Sequence, residues 1–376
     1  MGIGGLIRLN LLSLYPTILG NSSLAYVEFI LIGIIKILIK VTIIRVYMKV
    51  FITGATGFIG TSLVNELVKR QYKVTCFVRK TSNIQSLNGL GVKFSYGDIL
   101  DEKSIEKAIG DNEVIIHLVG LQSFVEYSKK LYDSLYKINV LGLKNLLDAV
   151  VVKKPKKLKK IVFLSSTAAV GLTNGEVDEK VRCKPVSPYQ RTKYEGERLC
   201  LSYYQKYGVP IVILRPSMIY GNKDDHSQIQ GMVNTIRNGF FPIVGSGKNN
   251  VPMIYLSDAV DGIIKGALKG KPGEIYYMTN DKKTTMSELV GIIGSELGIN
   301  VIKIRVPVFI AYILVAILGG LYKLVGKDFT MSGRRVLSMS SDRTFDVSKA
   351  RKGLGFSPRV SVREGICKAI STYGVR

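Results

Sequence analysis

The chain has 376 residues, with 47% hydrophobic residues, 22% charged residues and no tryptophan, a length that allows about two to three domains of roughly 150 residues each. That hydrophobic content excludes a disordered chain, and 38 unperiodic glycines with charges recurring along the sequence exclude collagen-like, coiled-coil and polytopic membrane classes. Fifty-three Lys and Arg against 28 Asp and Glu leave a net charge of +25, which bears on non-specific association and not on fold.

Residues 1–47 hold one acid, Glu28, and two apolar stretches, Leu6–Leu19 and Val27–Ile44, with Lys36, Lys40 and Arg45 breaking up the second. Neither is a clean run of about 20 apolar residues, and no Ala-x-Ala cleavage signal follows them. Three readings compete for this apolar extension: a membrane anchor, an interfacial helix, or a start assigned upstream of the true one at Met48. The last is favoured, because Met48 opens a strand that needs nothing before it. Cys76, Cys183, Cys200 and Cys367 form no CxxC pair, so neither a zinc site nor a disulfide framework is expected. His117 and His226 are too few for a His-based metal site or a Ser-His-Asp triad, and no metal is expected. The expected location is cytoplasmic, or membrane-associated if the extension is an anchor.

Val50–Ile52 reads as a short strand running into Thr53-Gly54-Ala55-Thr56-Gly57-Phe58-Ile59-Gly60 and then a helical pattern through Leu63, Leu67 and Val68. Strand, Gly-rich turn and helix in this order make a dinucleotide site: the turn is tight, a pyrophosphate must approach the backbone, and the helix N-terminus offers amide donors. Gly54, Thr56, Gly57, Phe58, Ile59 and Gly60 are therefore cofactor-binding candidates. The next strand, Lys73–Val78, ends in Arg79-Lys80, with no acid where an NAD enzyme holds the ribose 2′-hydroxyl. A guanidinium suits a 2′-phosphate, so NADP is favoured slightly over NAD, against the plain alternative that Arg79 is a solvated loop charge.

The rhythm continues. Val92–Tyr96 leads into Gly97-Asp98-Ile99, Val114–Leu118 into Val119-Gly120, and Ile161–Leu164 into Ser165-Ser166-Thr167, with helical stretches at Ser104–Ile109 and Ile138–Val151 between them. Alternation of this kind predicts an α/β fold, a Rossmann-type doubly wound parallel sheet, with ligand at the carboxyl ends of its strands. In Ser187-Pro188-Tyr189-Gln190-Arg191-Thr192-Lys193, Pro188 can open a helix that puts Tyr189 and Lys193 on one face. A free phenol titrates near pH 10 and a nearby ammonium favours its ionised form, so the pair makes a general base. Thr167 or its neighbour Ser166 could hold the substrate oxygen. The bland alternative is an exposed helical pair.

Together with Asn139-Val140-x-Gly142, Ala168-Ala169-Val170-Gly171 and Arg215-Pro216-Ser217, these motifs resemble the extended short-chain dehydrogenase/reductase family, of the NAD-dependent epimerase/dehydratase type, over roughly residues 48–370. The resemblance implies a catalytic set of Tyr189, Lys193 and Thr167 with Ser166 as the alternate, Tyr189 and Lys193 also binding the cofactor, Lys193 at the nicotinamide ribose. It implies Asp98 and Ile99 beside the adenine, Val119 and Gly120 along the cofactor's middle, Pro216 also on the cofactor, and a homodimer formed through two helices. Asn139 would hold the central helix or a hydrogen-bond relay. The Tyr that usually precedes the Gly is missing from Val170-Gly171.

Beyond Gly221 the pattern changes to Gly245-Ser246-Gly247, a strand Met253–Leu256, a helix Met286–Leu297 and a closing segment, Phe345-Asp346 through Pro358. The expected organisation is the extension at 1–47, an NAD(P)-binding Rossmann domain at 48–221, and at 222–376 mainly a smaller C-terminal α/β substrate lobe. Val306–Tyr322 is uncharged between Arg305 and Lys323 and is interrupted by Gly319-Gly320, which suits a buried or lipid-surface helix better than a span. The small-molecule substrate is a nucleotide sugar, with Arg215, Lys248, Arg334 and Arg335 as cationic candidates for its diphosphate, or an apolar alcohol of hydroxysteroid or dihydroflavonol type. A non-catalytic cofactor-binding scaffold is the rival from another class. The basic run Lys153–Lys160 reads as a solvated loop or a headgroup contact; no motif for specific nucleic-acid binding accompanies it.

Overall fold

The computed structural model describes residues 30–33, 48–123, 129–222, 228–324 and 333–373. The chain divides into two units, Met1–Tyr47 and Met48–Arg376. In the first, only the helical stretch 30–33 is described, so the expectations of an anchor, an interfacial helix or a start at Met48 lie outside the described residues.

The strands of the second unit are β1 Lys49–Thr53, β2 Lys73–Val78, β3 Lys93–Tyr96, β4 Val114–His117, β5 Lys160–Leu164, β6 Gly175–Val177, β7 Ile211–Pro216, β8 Met218–Tyr220, β9 Phe240–Val244, β10 Met253–Tyr255, β11 Ile275–Met278, β12 Ile302–Val306 and β13 Arg343–Phe345. Seven of them form one parallel sheet in the order β11-β7-β5-β4-β1-β2-β3. The sequence direction reverses between β1 and β4, and in a doubly wound sheet ligand binds in the crevice at that switch point. β4 and β7 are buried along their whole length, as parallel strands covered on both faces must be. Helices Phe58–Lys69 and Leu256–Lys269 cover one face through Leu63, Leu67 and Ile263. Helices Glu102–Ile109, Gly142–Lys153 and Pro188–Tyr207 cover the other through Ile105, Leu146 and Tyr203.

A separate core, with Ile229, Val233, Ile243, Leu289, Ile293 and Ile366, holds helices Gln228–Ile236, Met286–Leu297 and Val362–Ile370 around the β12-β9 pair. The part expected to form mainly the substrate lobe, 222–376, also contributes to the sheet. β11 and helix Leu256–Lys269 come from it and complete the sheet's edge and one face, because a parallel edge strand needs a crossover helix. The helix expected over Ile138–Val151 also differs: a π-helical turn, Lys137–Leu141, precedes the regular helix Gly142–Lys153. The basic run leads into the amino end of β5, away from the switch-point crevice, and its Lys159 pairs with Glu113 at 2.7 Å.

Candidate functional site

The carboxyl ends of β1, β4, β5 and β7 open into a cavity of about 890 Å³. Its first wall is the Gly-rich turn. Gly54 sits at φ +78°, a left-handed conformation that suits glycine, and a Cβ on Gly60 would stand 2.1 Å from the Gly54 carbonyl oxygen. The turn can close this tightly only with glycine at both positions. Gly57 is the N-cap of helix Phe58–Lys69; no side chain caps that end and its first turn holds no acid. The first amides of the helix therefore remain available to an anion, reinforced by the positive end of the helix dipole. These residues fit the pyrophosphate of a dinucleotide.

The adenosine-side candidates gather where β2 and β3 end. The Gly97 amide donates to the Val78 carbonyl at 3.0 Å, placing Asp98 beside the strand end that leads into Arg79. The Asp98 carboxylate accepts from the Leu100 amide at 2.9 Å, and Ile99 packs so closely on Gly142 that a Cβ there would lie 3.0 Å from it. Arg79 is exposed in the loop after β2. Thr56 is half-buried in the turn, and the Val119 amide nitrogen lies 3.0 Å from where a Gly54 Cβ would be. Gly54, Gly57, Phe58, Ile59, Gly60, Gly120 and Pro216 line the cavity; Thr56, Arg79, Asp98, Ile99 and Val119 do not.

Helix Pro188–Tyr207 forms the opposite wall. Ser187 caps it in a reciprocal capping box with Gln190, and Pro188 takes the first turn as the sequence predicts. A Cβ on Gly196 would meet the Phe163 ring at 2.9 Å, so this glycine lets the helix lie against β5. That approach brings Tyr189 and Lys193 to the cavity with Ser166 and Thr167, which line it from the end of β5. Lys193 Nζ donates to the Leu164 carbonyl at 2.9 Å and lies 5.4 Å from the Phe163 ring centroid. A Cβ on Gly120 would stand 3.2 Å from the same nitrogen.

Electrostatically the pair departs from the expectation. Burial pushes the Tyr189 phenol up to about 12, and the opposing influence is a hydrogen bond from Ser166, not the ammonium of Lys193. Burial also holds Lys193 down at about 8, with Glu197 and Cys200 acting the other way. The reason is geometric: Lys193 points at the backbone of β5. Ser166, the alternate in the sequence reading, accepts from the Ala168 amide at 3.1 Å and lines the cavity with Tyr189; Thr167 is buried in the turn that follows.

Asn139, carried inward by the π-helical turn, staples the site. Its Oδ1 accepts from the Leu121 amide at 2.6 Å, while Nδ2 donates to the Leu121 carbonyl at 2.9 Å and to the Thr192 hydroxyl at 3.0 Å. The loop after β4 is thereby tied to the helix bearing Tyr189 and Lys193. Beneath it, Arg215 donates to both carboxylate oxygens of Glu197, at 2.9 and 2.7 Å, and Ser165 donates to the same carboxylate. Arg215 is 2% exposed and already paired, which removes it from the diphosphate candidates. Lys248 is exposed and does not line the cavity; the side chains of Arg334 and Arg335 lie outside the described residues.

Besides Lys193, a cation that lines the cavity is Arg343, which the sequence reading missed. One terminal nitrogen donates to the Ser338 carbonyl at 3.3 Å and to its hydroxyl at 3.1 Å; Nε is buried without a partner, and among the described residues no carboxylate pairs with the guanidinium. Burial lowers its pKa. Met218, Met286, Met339 and Tyr312 add apolar surface on this side.

Residues 50–278 match the NAD dependent epimerase/dehydratase family. The chain is 28% identical over 334 residues to the 2-alkyl-3-oxoalkanoate reductase of Shewanella oneidensis, covering 84% of each. It is 26% identical to the N-acetyl-alpha-D-glucosaminyl-diphospho-ditrans,octacis-undecaprenol 4-epimerase of Escherichia coli O157:H7, over 86% of this chain and 94% of that one. Among solved structures it resembles UDP-glucuronic acid 4-epimerase from Bacillus cereus in complex with NAD, with a TM-score of 0.68, 25% identity, and coverage of 86% of this chain and 98% of that one. The chain belongs to the NAD dependent epimerase/dehydratase family and is an enzyme of the extended short-chain dehydrogenase/reductase type.

Proposed function

We propose that this protein interconverts a hydroxyl and a keto group on a substrate that carries an acidic group, a nucleotide sugar being the first class to test. The observation that carries the reading is the convergence of Tyr189, Lys193, Ser166 and Thr167 on one cavity that also receives the uncapped helix N-terminus. Gly54, Gly57 and Gly60 and the amides after them would hold the dinucleotide's pyrophosphate, and Lys193 its nicotinamide ribose; when bound, the nicotinamide would supply the carbon that gives hydride to a keto carbon or takes it from an alcohol carbon. Tyr189 exchanges the proton of the substrate oxygen, Ser166 polarises the phenol, and Thr167 orients that oxygen. With its phenol held near 12, Tyr189 is protonated at neutral pH and serves first as an acid toward a keto oxygen. Arg343, half-buried with its Nε unpartnered and no carboxylate partner among the described residues, receives the acidic group. The test is conversion of UDP-glucose, UDP-glucuronic acid and a 3-oxoalkanoate by parent and Tyr189→Phe protein; product formed equally by both proteins would overturn the reading.

A second reading, an apolar alcohol or ketone, is favoured by the methionines and Tyr312 on the substrate side. Arg79 supports NADP over NAD: it is exposed where β2 ends, with no acid beside it in sequence. Comparing NADPH and NADH affinities in parent and Arg79→Ala protein tests this, and an unchanged ratio would assign Arg79 to the solvated loop. A homodimer through the helices on the Gly142–Lys153 and Pro188–Tyr207 side is supported by Leu141 and Tyr207 at 39% and 48% exposure, and sedimentation equilibrium tests it.

A further inference from the structure

Helix Val308–Leu324 is apolar around its circumference, and among the described residues it packs on the body through Ala311 and Val315 against Val244 and Val336, with Val308 and Tyr312 beside them. Phe309, Ile313, Ile317 and Leu321 face outward at 66%, 53%, 54% and 53% exposure. A surface helix ordinarily turns a polar face to water, and a contiguous apolar outer face marks an interaction surface. The charge around it says what covers that face. From Ile302 to Asp328 the sequence holds four basic residues and one acid, and Lys303 and Arg305 are exposed on β12 alongside exposed Ile302 and Ile304. Apolar side chains flanked by an excess of cations complement an anionic lipid surface. The described helix, 17 residues and so about 26 Å long, falls short of the roughly 30 Å of a bilayer's hydrocarbon core. Among the described residues no helix is long and apolar enough to cross a membrane. Tyr312 links this surface to the site: half-exposed on the helix, it also walls the cavity, packed so tightly on Gly333 that a Cβ there would lie 2.3 Å from its ring.

We propose that the outer face of Val308–Leu324, with Lys303 and Arg305, docks the protein onto an anionic bilayer, turning the Tyr312 wall of the cavity toward the membrane surface. This goes beyond the reading of the site and does not depend on which carbon is oxidised. Because the chain contains no tryptophan, a single one is an unambiguous probe. In the full chain, Ile317→Trp reports on the proposed face and Leu268→Trp, 44% exposed on helix Leu256–Lys269, on a surface outside it. On mixing with phosphatidylglycerol vesicles, the Ile317→Trp emission shifts to the blue and brominated acyl chains quench it at least about twofold, while Leu268→Trp does not respond. The response disappears with phosphatidylcholine vesicles and at about 1 M salt, where the screening length is about 3 Å.

Vesicle binding with Ile317→Trp left unquenched would overturn the proposal by placing attachment elsewhere in the chain, and so would a failure to bind at all. A blue shift without vesicles, accompanied by a dimer in sedimentation, would overturn it in favour of a second copy covering the face. The same measurement on an Ile317→Trp, Tyr189→Phe protein keeps docking separate from catalysis, since quenching reads no turnover.

Discussion

Replacing Lys193 by methionine isolates what its buried ammonium costs the fold. Lys193 is 6% exposed, bonds through Nζ to the Leu164 carbonyl, and among the described residues makes no ion pair with a carboxylate. Burial holds its pKa at about 8, against 10.5 for an ordinary lysine. Between those two values the unfolded chain keeps a proton that the folded chain has released. The parent protein therefore gains stability as pH rises through that window, and below it bears the full cost. At about 1.36 kcal/mol per pH unit, the window is worth about 3 kcal/mol. Methionine fills a similar volume and has no proton to lose. The variant's stability relative to the parent should thus fall by about 3 kcal/mol between about pH 7 and pH 10.5, wherever the loss of the Leu164 bond sets its absolute level. Urea titrations followed by far-UV circular dichroism at both ends of the window measure this difference. A difference that stays constant with pH would mean that Lys193 titrates alike in the folded and unfolded chains, and would refute the reasoning.

Gly60→Ala forces a Cβ against the Gly54 carbonyl oxygen and should cost about 1–3 kcal/mol of stability in overpacking. Because the same shift disturbs the turn that meets the pyrophosphate, NADPH or NADH affinity should fall about tenfold or more, a change of about 1.4 kcal/mol or more that fluorescence titration resolves. Arg215→Met leaves the Glu197 carboxylate buried without its guanidinium, so unfolding should become about 3–5 kcal/mol easier, and adding Glu197→Leu should recover a large part of that. Arg343→Gln should raise KM for acidic substrates at least about tenfold and leave a neutral ketone nearly unaffected; equal effects on both would move the acidic group elsewhere.

Features carried by local pattern were legible in the sequence. The glycine turn, the short strands ending in polar segments, and the Pro188 helix with Tyr189 and Lys193 on one face each follow from adjacent residues, and the structure builds them where the sequence placed them. What depends on distant packing was not legible. Arg215 and Arg343 look alike in a chain with 53 Lys and Arg, yet one is neutralised by Glu197 from another element and the other is left facing the cavity. The direction of the Lys193 ammonium depends on how closely Gly196 seats its helix on Phe163. The π-helical turn that carries Asn139 inward has no local signal that separates it from an ordinary helix.

The most direct test of the account is the pH dependence of the two directions of the reaction on one substrate pair, measured in parent and Tyr189→Phe protein. A phenol held near 12 remains protonated across the neutral range, so keto reduction should be flat with pH while alcohol oxidation rises with it, and the Phe variant should lose both directions by at least about a hundredfold. Reduction and oxidation that persist in Tyr189→Phe at parental rates would contradict the assignment of the proton exchange to Tyr189.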